Sequence, residues 1–210
     1  MRSFRFQLIV GIACLVGSLV QLLVLKQAHF YTLFSVGMSV LLGTTYNRLS
    51  SRRLFTDWRP THVLAFFLAL FGLSVVIDRI GLYIGYWEYP HYEAADEVLK
   101  YLFEWAIALF YHLLALLIGV EILKRWRIEG VTGFVLGLLL LVTPVGLLTE
   151  SLNIQVYSWR VVSMPISNYR IGGYFLVFQT IGYWLMAIIP YALFAITNRF
   201  ALSAQGSTER

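Results

Sequence analysis

Three acidic residues stand in or at the ends of long apolar stretches of this chain: Asp78, Glu104 and Glu150. An ionisable group inside a bilayer is costly unless it is paired or hydrated, so each is a candidate site residue by default. Carboxyl groups so placed can hold, deliver or accept protons. Two of them open a shared pattern. Aligning Asp78 with Glu150 sets "DRIGLYIGYW" over "ESLNIQVYSW", which gives an acid, eight intervening residues, a tryptophan and then a proline, Pro90 or Pro165. The offset is 72 residues, a spacing at which duplicated supersecondary units recur.

The elements that must carry these residues follow from composition. With 59% hydrophobic and 13% charged residues in 210, too few polar groups remain to cover a soluble domain, which points to an all-α integral membrane protein. A hydrocarbon core about 30 Å thick takes about 20 apolar residues per helix. Six stretches qualify, roughly 7–25, 29–46, 62–85, 101–123, 131–150 and 172–196, so a six-transmembrane-helix bundle is expected over 1–200. Residues 201–210, "ALSAQGSTER", are small and polar and read as a disordered cytoplasmic tail. The first apolar run follows Arg2 and Arg5 like a signal peptide, but it is too long and no small-residue cleavage site follows, so it reads as a helix. The single Cys14 excludes an intrachain disulfide and a cysteine metal cluster.

Charge sets the orientation. With the N-terminus inside, 11 of the 16 lysines and arginines fall on the cytoplasmic side and 5 outside, which predicts both termini in the cytoplasm of a cell-membrane protein. The net charge of +5 is split among short loops, so anionic membrane lipids are the expected partners and nucleic acid is not. A membrane-protein partner or a homo-oligomer is compatible with this topology. Helices three plus four and five plus six then enter in the same direction, as parallel hairpin repeats. The loops "YWEYPHYEAADEVLK" and "SLNIQVYSWRVVSMPISNYR" lie outside and collect interfacial aromatic residues; "EAADEVLK" predicts a short interfacial helix.

Helical rise puts Asp78 about 7 to 8 Å below the outer end of its helix. Gly81 and Gly85 share its face and predict a smooth seam against another helix, and Gly133 and Gly137 predict a second seam on helix five. Glu104 opens helix four on the same side, with Ala108 and Tyr111 on its face and His112 adjacent and deeper. Asp78, Glu104 and Glu150 are therefore expected around one outer-leaflet pocket. Structural roles stand beside the chemical ones: Asp78 paired with Arg79 or Arg160, Glu104 and Glu150 hydrated at the interface, and His112 hydrogen-bonded in the core. Trp87 and Trp159 read equally well as interface anchors, Glu121 as an interfacial ion-pair partner and His91 as a solvated loop residue. His29 and His62 lack matching ligands, so no metal site is expected.

Asp78, Gly85, Trp87 and Tyr89, followed by "YLFEWAIALFYH" with Glu104, resemble the membrane-integral carotenoid cyclases, the small lycopene cyclases of some bacteria, archaea and fungi. Those proteins carry Asp, a short spacer, Gly-x-Trp and an aromatic residue before a helix that opens with a Pro-x-Glu-Glu-like motif. The likeness covers about 35 residues closely and about 110 loosely. This chain departs from it in four ways. No proline precedes Glu104, Trp105 stands where the second glutamate would be, and Gln179 replaces Glu104 in the second unit. The cyclase repeats are also three-helix units.

The resemblance implies acid-catalysed cyclisation or hydration of an isoprenoid or carotenoid-like chain without a redox cofactor. Glu104, Asp78 and Glu150 would be catalytic, with Trp87, Trp105, Tyr111, His112 and Trp159 against the substrate. Burial disfavours the charged form of a carboxyl group, which keeps such an acid able to donate, and aromatic faces stabilise the carbocation that protonation creates. Two other readings stay open: a non-catalytic membrane subunit or lipid-binding scaffold, and a small transporter using Asp78 and Glu150 for protons or cations. No phosphate-binding glycine loop, nucleophile motif or Asp-rich magnesium pair is present in the sequence.

Overall fold

A membrane-length apolar run satisfies its backbone in lipid only as a helix, and the described residues are mostly helical. The computed structural model describes residues 2–51, 53–56, 58–93, 96–97, 100–163 and 176–206. Its helices are α1 (Arg2–Leu23), α2 (Phe30–Leu49), α3 (Pro60–Tyr83), α4 (Ala106–Arg125), α5 (Gly130–Gly137), α6 (Thr143–Asn153) and α7 (Leu176–Gly206). A π-helical turn, Lys100–Trp105, leads into α4, and a second, Leu138–Val142, joins α5 to α6 as one rod.

Among the described residues, 5 stretches are long and apolar enough to cross a membrane: Phe4–Leu23, Pro60–Tyr83, Lys100–Arg125, Gly130–Asn153 and Gln179–Ala201. The stretch expected at 29–46 forms the 20-residue α2, which is not among them. Its polar residues, from Tyr31 and Thr32 to Asn47 and Arg48, lower its hydropathy. Thr32 reaches Glu104, Tyr31 reaches Tyr111, and Ser39 lies on the Ile107 carbonyl.

α4 is the axis of the bundle. Of its apolar window 72% is buried, against 17% to 28% in the other four, and it packs on α2, α3, α5 and α7. Gly119 on α4 meets Gly137 at the end of α5 so closely that a Cβ on Gly119 would lie 2.9 Å from the Gly137 Cα, so the expected seam on this rod holds at Gly137. The outer faces of α1, α3 and α7 leave Ile9, Leu64, Leu68, Ile181 and Leu185 uncovered, as contact with lipid requires.

Pro144 lacks an amide hydrogen and would leave a carbonyl unpaired about one turn earlier. A π turn stands just ahead of it, and the Thr143 hydroxyl donates to the Leu138 carbonyl at 3.1 Å, beside the amide of the same residue. α7 continues to Gly206, so residues 201–206, expected in a disordered tail, are helical; alanine, leucine and glutamine there favour helix. Residues 207–210, Pro165 and Arg170 lie outside the described residues, as do Ala94, Ala95, Val98 and Leu99 of the expected interfacial helix.

The α3–α4 and α6–α7 loops meet in a two-stranded ribbon, β1 (Trp87–Glu88) and β2 (Arg160–Val161). The pairing is antiparallel, with Trp87 opposite Val161 and Glu88 opposite Arg160, and Arg160 Nε donates to Glu88 at 2.7 Å. The ribbon fixes two loops that carry most of the candidate aromatic residues.

Candidate functional site

Asp78 lies one turn before the end of α3 and is fully buried. Its Oδ1 accepts from Trp87 Nε1 at 3.0 Å and from the Tyr89 hydroxyl at 2.5 Å, while Oδ2 accepts from the Tyr101 hydroxyl at 2.8 Å. Lys100 Nζ completes the shell at 3.3 Å from Oδ2 and lies over the rings of Tyr89 and Tyr101. The partner is therefore Lys100, not Arg79 or Arg160. Arg79 follows Asp78 on the helix but projects to another face and binds Glu97 at 2.7 Å, and Arg160 binds Glu88.

Local sequence makes this shell possible. Gly85, at φ +72°, turns the chain just past α3 so that Trp87 folds back onto the helix. A Cβ on Gly81 would lie 1.9 Å from Trp87 Cζ2, so the indole occupies the space a side chain would take. The expected Gly81/Gly85 seam is thus corrected: a loop tryptophan fills it at Gly81, and nothing lies within 4 Å of a Cβ built on Gly85.

Glu104 sits on the π turn that begins helix four and is buried. The Thr32 hydroxyl donates to Oε1 at 2.8 Å and the Tyr92 hydroxyl donates to Oε2. Next to it, Trp105 Nε1 donates to the Tyr89 hydroxyl at 2.5 Å, which links this turn to Asp78 through one phenol. Burial, reinforced by the neighbouring carboxylate, pushes the phenols of Tyr89 and Tyr92 upward, so both remain donors.

Glu150 occupies the last turn of α6 and is also buried. The Tyr183 hydroxyl donates to Oε2 at 2.7 Å, Trp159 Nε1 at 3.3 Å, and Asn153 Nδ2 reaches Oε1 at 3.4 Å. The Gln179 side chain lies close to this carboxyl group. Asn153 in turn clamps Trp159, donating to its carbonyl at 2.8 Å and accepting from its amide at 3.2 Å. Glycine again makes room for a ring: a Cβ on Gly146, one turn before Glu150, would lie 2.3 Å from Tyr183 Cγ. Among the described residues, neither Glu104 nor Glu150 is in ion-pair contact with a cation.

A cavity of about 360 Å³ opens between these groups. Glu104, Glu150, Trp87, Trp105 and Trp159 line it, together with Tyr31, Tyr89, Gln179, Tyr183 and the aliphatic side chains of α3 and α7. Five of the eight residues expected at the site thus line one cavity. Asp78 stands behind Trp87 and Tyr89 and is not part of the lining. Trp87 and Trp159 turn their indole N–H groups inward to carboxylates, although either could have served as an interface anchor.

Tyr111 and His112 are fully buried and lie outside the lining. Tyr111 shares hydrogen bonds with Tyr31 at 2.5 Å and Thr149 at 3.1 Å, and His112 Nδ1 lies 2.8 Å from the Ala108 carbonyl, as a core histidine would. The site also uses Thr32, Tyr92, Lys100 and Tyr183, which sequence reasoning did not single out. Tyr183 had a usable signal, since it follows Gln179 by four residues and shares its helical face. Thr32 and Tyr92 had none beyond polarity. Among the described residues, no three histidine, cysteine or acidic side chains cluster as a metal site would require.

What the arrangement can do is proton chemistry in an apolar enclosure. Two carboxyl groups reach the cavity supported by hydroxyl, indole and amide donors, while three indoles and several phenols surround the space. Searches against protein-family models, curated proteins and solved structures found no match to this chain.

Proposed function

We propose that the cavity takes an isoprenoid or carotenoid-like chain and that Glu104 and Glu150 perform acid–base chemistry on it, either cyclisation or hydration. The observation that carries this reading is two buried carboxyl groups, held by neutral donors, on the wall of one aromatic-lined apolar cavity. One carboxyl group delivers its proton to a carbon–carbon double bond, leaving a carbocation next to the indole faces. In cyclisation a second double bond attacks the cation and the other carboxylate removes a proton, so the product is an isomer of the substrate. In hydration a water adds instead and loses its proton to that carboxylate. Neither route transfers electrons to a cofactor. Asp78, neutralised by Lys100, positions Trp87 and Tyr89.

The same reading gives the chain six spans, with α2 as the second, both termini in the cytoplasm and the site at the outer leaflet. It also treats the two acid-to-indole hairpins as a parallel duplication. Trp87 bonds Asp78 and Trp159 bonds Glu150, each nine residues on, and Glu88 pairs with Arg160, its equivalent at an offset of 72. An antiparallel pair of equivalent residues is what a two-fold axis between duplicated units would produce. The motif resemblance to membrane-integral carotenoid cyclases supports the substrate class.

The test is conversion of lycopene by the purified protein in lipid nanodiscs, followed by chromatography and mass. Glu104→Gln and Glu150→Gln each abolish product while the helical circular dichroism signal persists. Full turnover in both variants would sink the catalytic assignment. A wild-type protein that retains lycopene unchanged would replace it with a lipid-binding scaffold.

A further inference from the structure

The donors on the cavity wall are already engaged. Trp87 Nε1 bonds Asp78, Trp105 Nε1 bonds Tyr89, and Trp159 Nε1 bonds Glu150. The hydroxyls of Tyr89 and Tyr183 are directed to Asp78 and Glu150. An acceptor, by contrast, is vacant: Gln179 lines the cavity, is 6% exposed, and its Oε1 has no hydrogen-bond partner among the described residues. Its side chain lies close to the Glu150 carboxyl group, which lines the same cavity. A buried polar atom without a partner is costly, and a ligand that supplies the missing donor recovers that cost.

We infer that the cavity binds a lipophilic amine in its protonated, N–H-bearing form, with the ammonium between Gln179 and Glu150 and the hydrocarbon chain along α3 and α7. This rests on the reading of the cavity as a chain-binding site and specifies the polar end that the site selects. Three observations converge on a cationic donor. The free hydrogen-bonding capacity on this wall is acceptor capacity, at Gln179 Oε1 and on the lone pairs of Glu104 and Glu150. The two carboxyl groups favour a cation over a neutral hydroxyl, and a charge-assisted hydrogen bond is stronger than a neutral one. The indole rings of Trp87, Trp105 and Trp159 line the cavity with their N–H groups already bonded to other partners, and an aromatic ring attracts a cation. A carbocation on a polyene and an ammonium on an alkyl chain carry the same charge, so such an amine also occupies the place of the proposed intermediate.

The experiment compares four probes of equal chain length on the wild-type protein in nanodiscs, with binding read by native mass spectrometry and tryptophan quenching. The probes are N,N-dimethyldodecylamine, dodecyltrimethylammonium, dodecanol and dodecane. The protonated tertiary amine binds tightest, by about tenfold over dodecanol and over the quaternary ammonium, which has the charge but no N–H. Gln179→Leu removes the advantage of the tertiary over the quaternary amine, and Glu150→Gln lowers amine affinity while dodecane binding is unchanged. If dodecanol or dodecane binds as tightly as the tertiary amine, the inference is overturned and chain binding stands. If the quaternary ammonium binds as tightly, the N–H assignment is overturned. If none of the four is retained, both the inference and the chain-binding reading fall.

Discussion

Asp78 and Glu150 share a position and differ in company. Each lies near the end of its helix, nine residues before an indole that donates to it, and each has a ring packed over a glycine of its own helix nearby. Asp78 has Lys100 at 3.3 Å, three neutral donors and no share of the cavity lining. Glu150 has neutral donors, two of them at 3.3 and 3.4 Å, and it reaches the cavity. The first is a closed ion pair whose satisfied lone pairs have little left to offer a ligand. The second keeps capacity for a proton or a cation. Burial of an acid therefore does not mark a reactive group by itself; the way its charge is balanced separates the structural carboxylate from the available one.

That contrast breaks most severely at Lys100. Lys100→Met leaves Asp78 buried without a cation, and removing one partner of a buried pair costs about 3–5 kcal/mol. The measurement is thermal unfolding in nanodiscs followed by circular dichroism. The double variant Asp78→Asn with Lys100→Met recovers most of the loss, because no unpaired charge remains. A single variant that melts with the wild type would mean that the pair contributes nothing to folding.

A smaller effect is expected at the glycines that admit the rings. Gly81→Ala places a methyl 1.9 Å from Trp87 Cζ2, so the indole must leave its seat and its bond to Asp78. Overpacking of this kind costs about 1–3 kcal/mol. Displacement of the indole shifts tryptophan emission to the red. Gly85→Ala meets no neighbour and bears only the strain of φ +72°, about 1 kcal/mol, with emission unchanged. Equal spectra for the two variants would contradict the packing of Trp87 on Gly81.

The comparison also shows how far the sequence could be read. The acid, the eight-residue spacer and the tryptophan were visible as a pattern, and the pattern corresponds to an indole-to-carboxylate hydrogen bond in both places. The partner of Asp78 was not visible. Lys100 is 22 residues away in sequence and Arg79 is adjacent, but consecutive residues on a helix point about 100° apart. Gly81 announced the absence of a side chain without saying whether a helix or a loop ring would fill the space. Tyr111 and His112 were placed beside Glu104 by counting an ideal helix. Ala108 on that face does line the cavity with Glu104, but Tyr111 and His112 fall inside the packed core. Length and hydropathy located the long helices well, but α2 pairs its length with the hydroxyls that serve Glu104 and Tyr111, which lowers its hydropathy.

The mildest test leaves the protein intact at neutral pH and separates the two acids through the phenols that serve them. Tyr89 donates to Asp78 and Tyr92 to Glu104, and both phenols are pushed up from 10.0, first by burial and then by those carboxylates. In the unfolded chain a phenol ionises near pH 10, about its ordinary value. Above that pH the unfolded state releases protons that the folded state keeps, so stability is fully present below about pH 10 and declines as pH rises toward the folded values. Tyr89→Phe and Tyr92→Phe each make the alkaline decline shallower, read as the change in unfolding midpoint with pH. A wild-type midpoint that stays flat above about pH 10 would show that these phenols ionise as freely in the folded protein as in the unfolded chain. The two variants part company at the cavity. Tyr89 also receives the Trp105 indole, so its removal frees an N–H on the wall and adds a donor where the native site offers acceptors. Tyr92→Phe leaves the indoles paired and loosens Glu104 alone, so protonated amine binding falls more in Tyr89→Phe than in Tyr92→Phe.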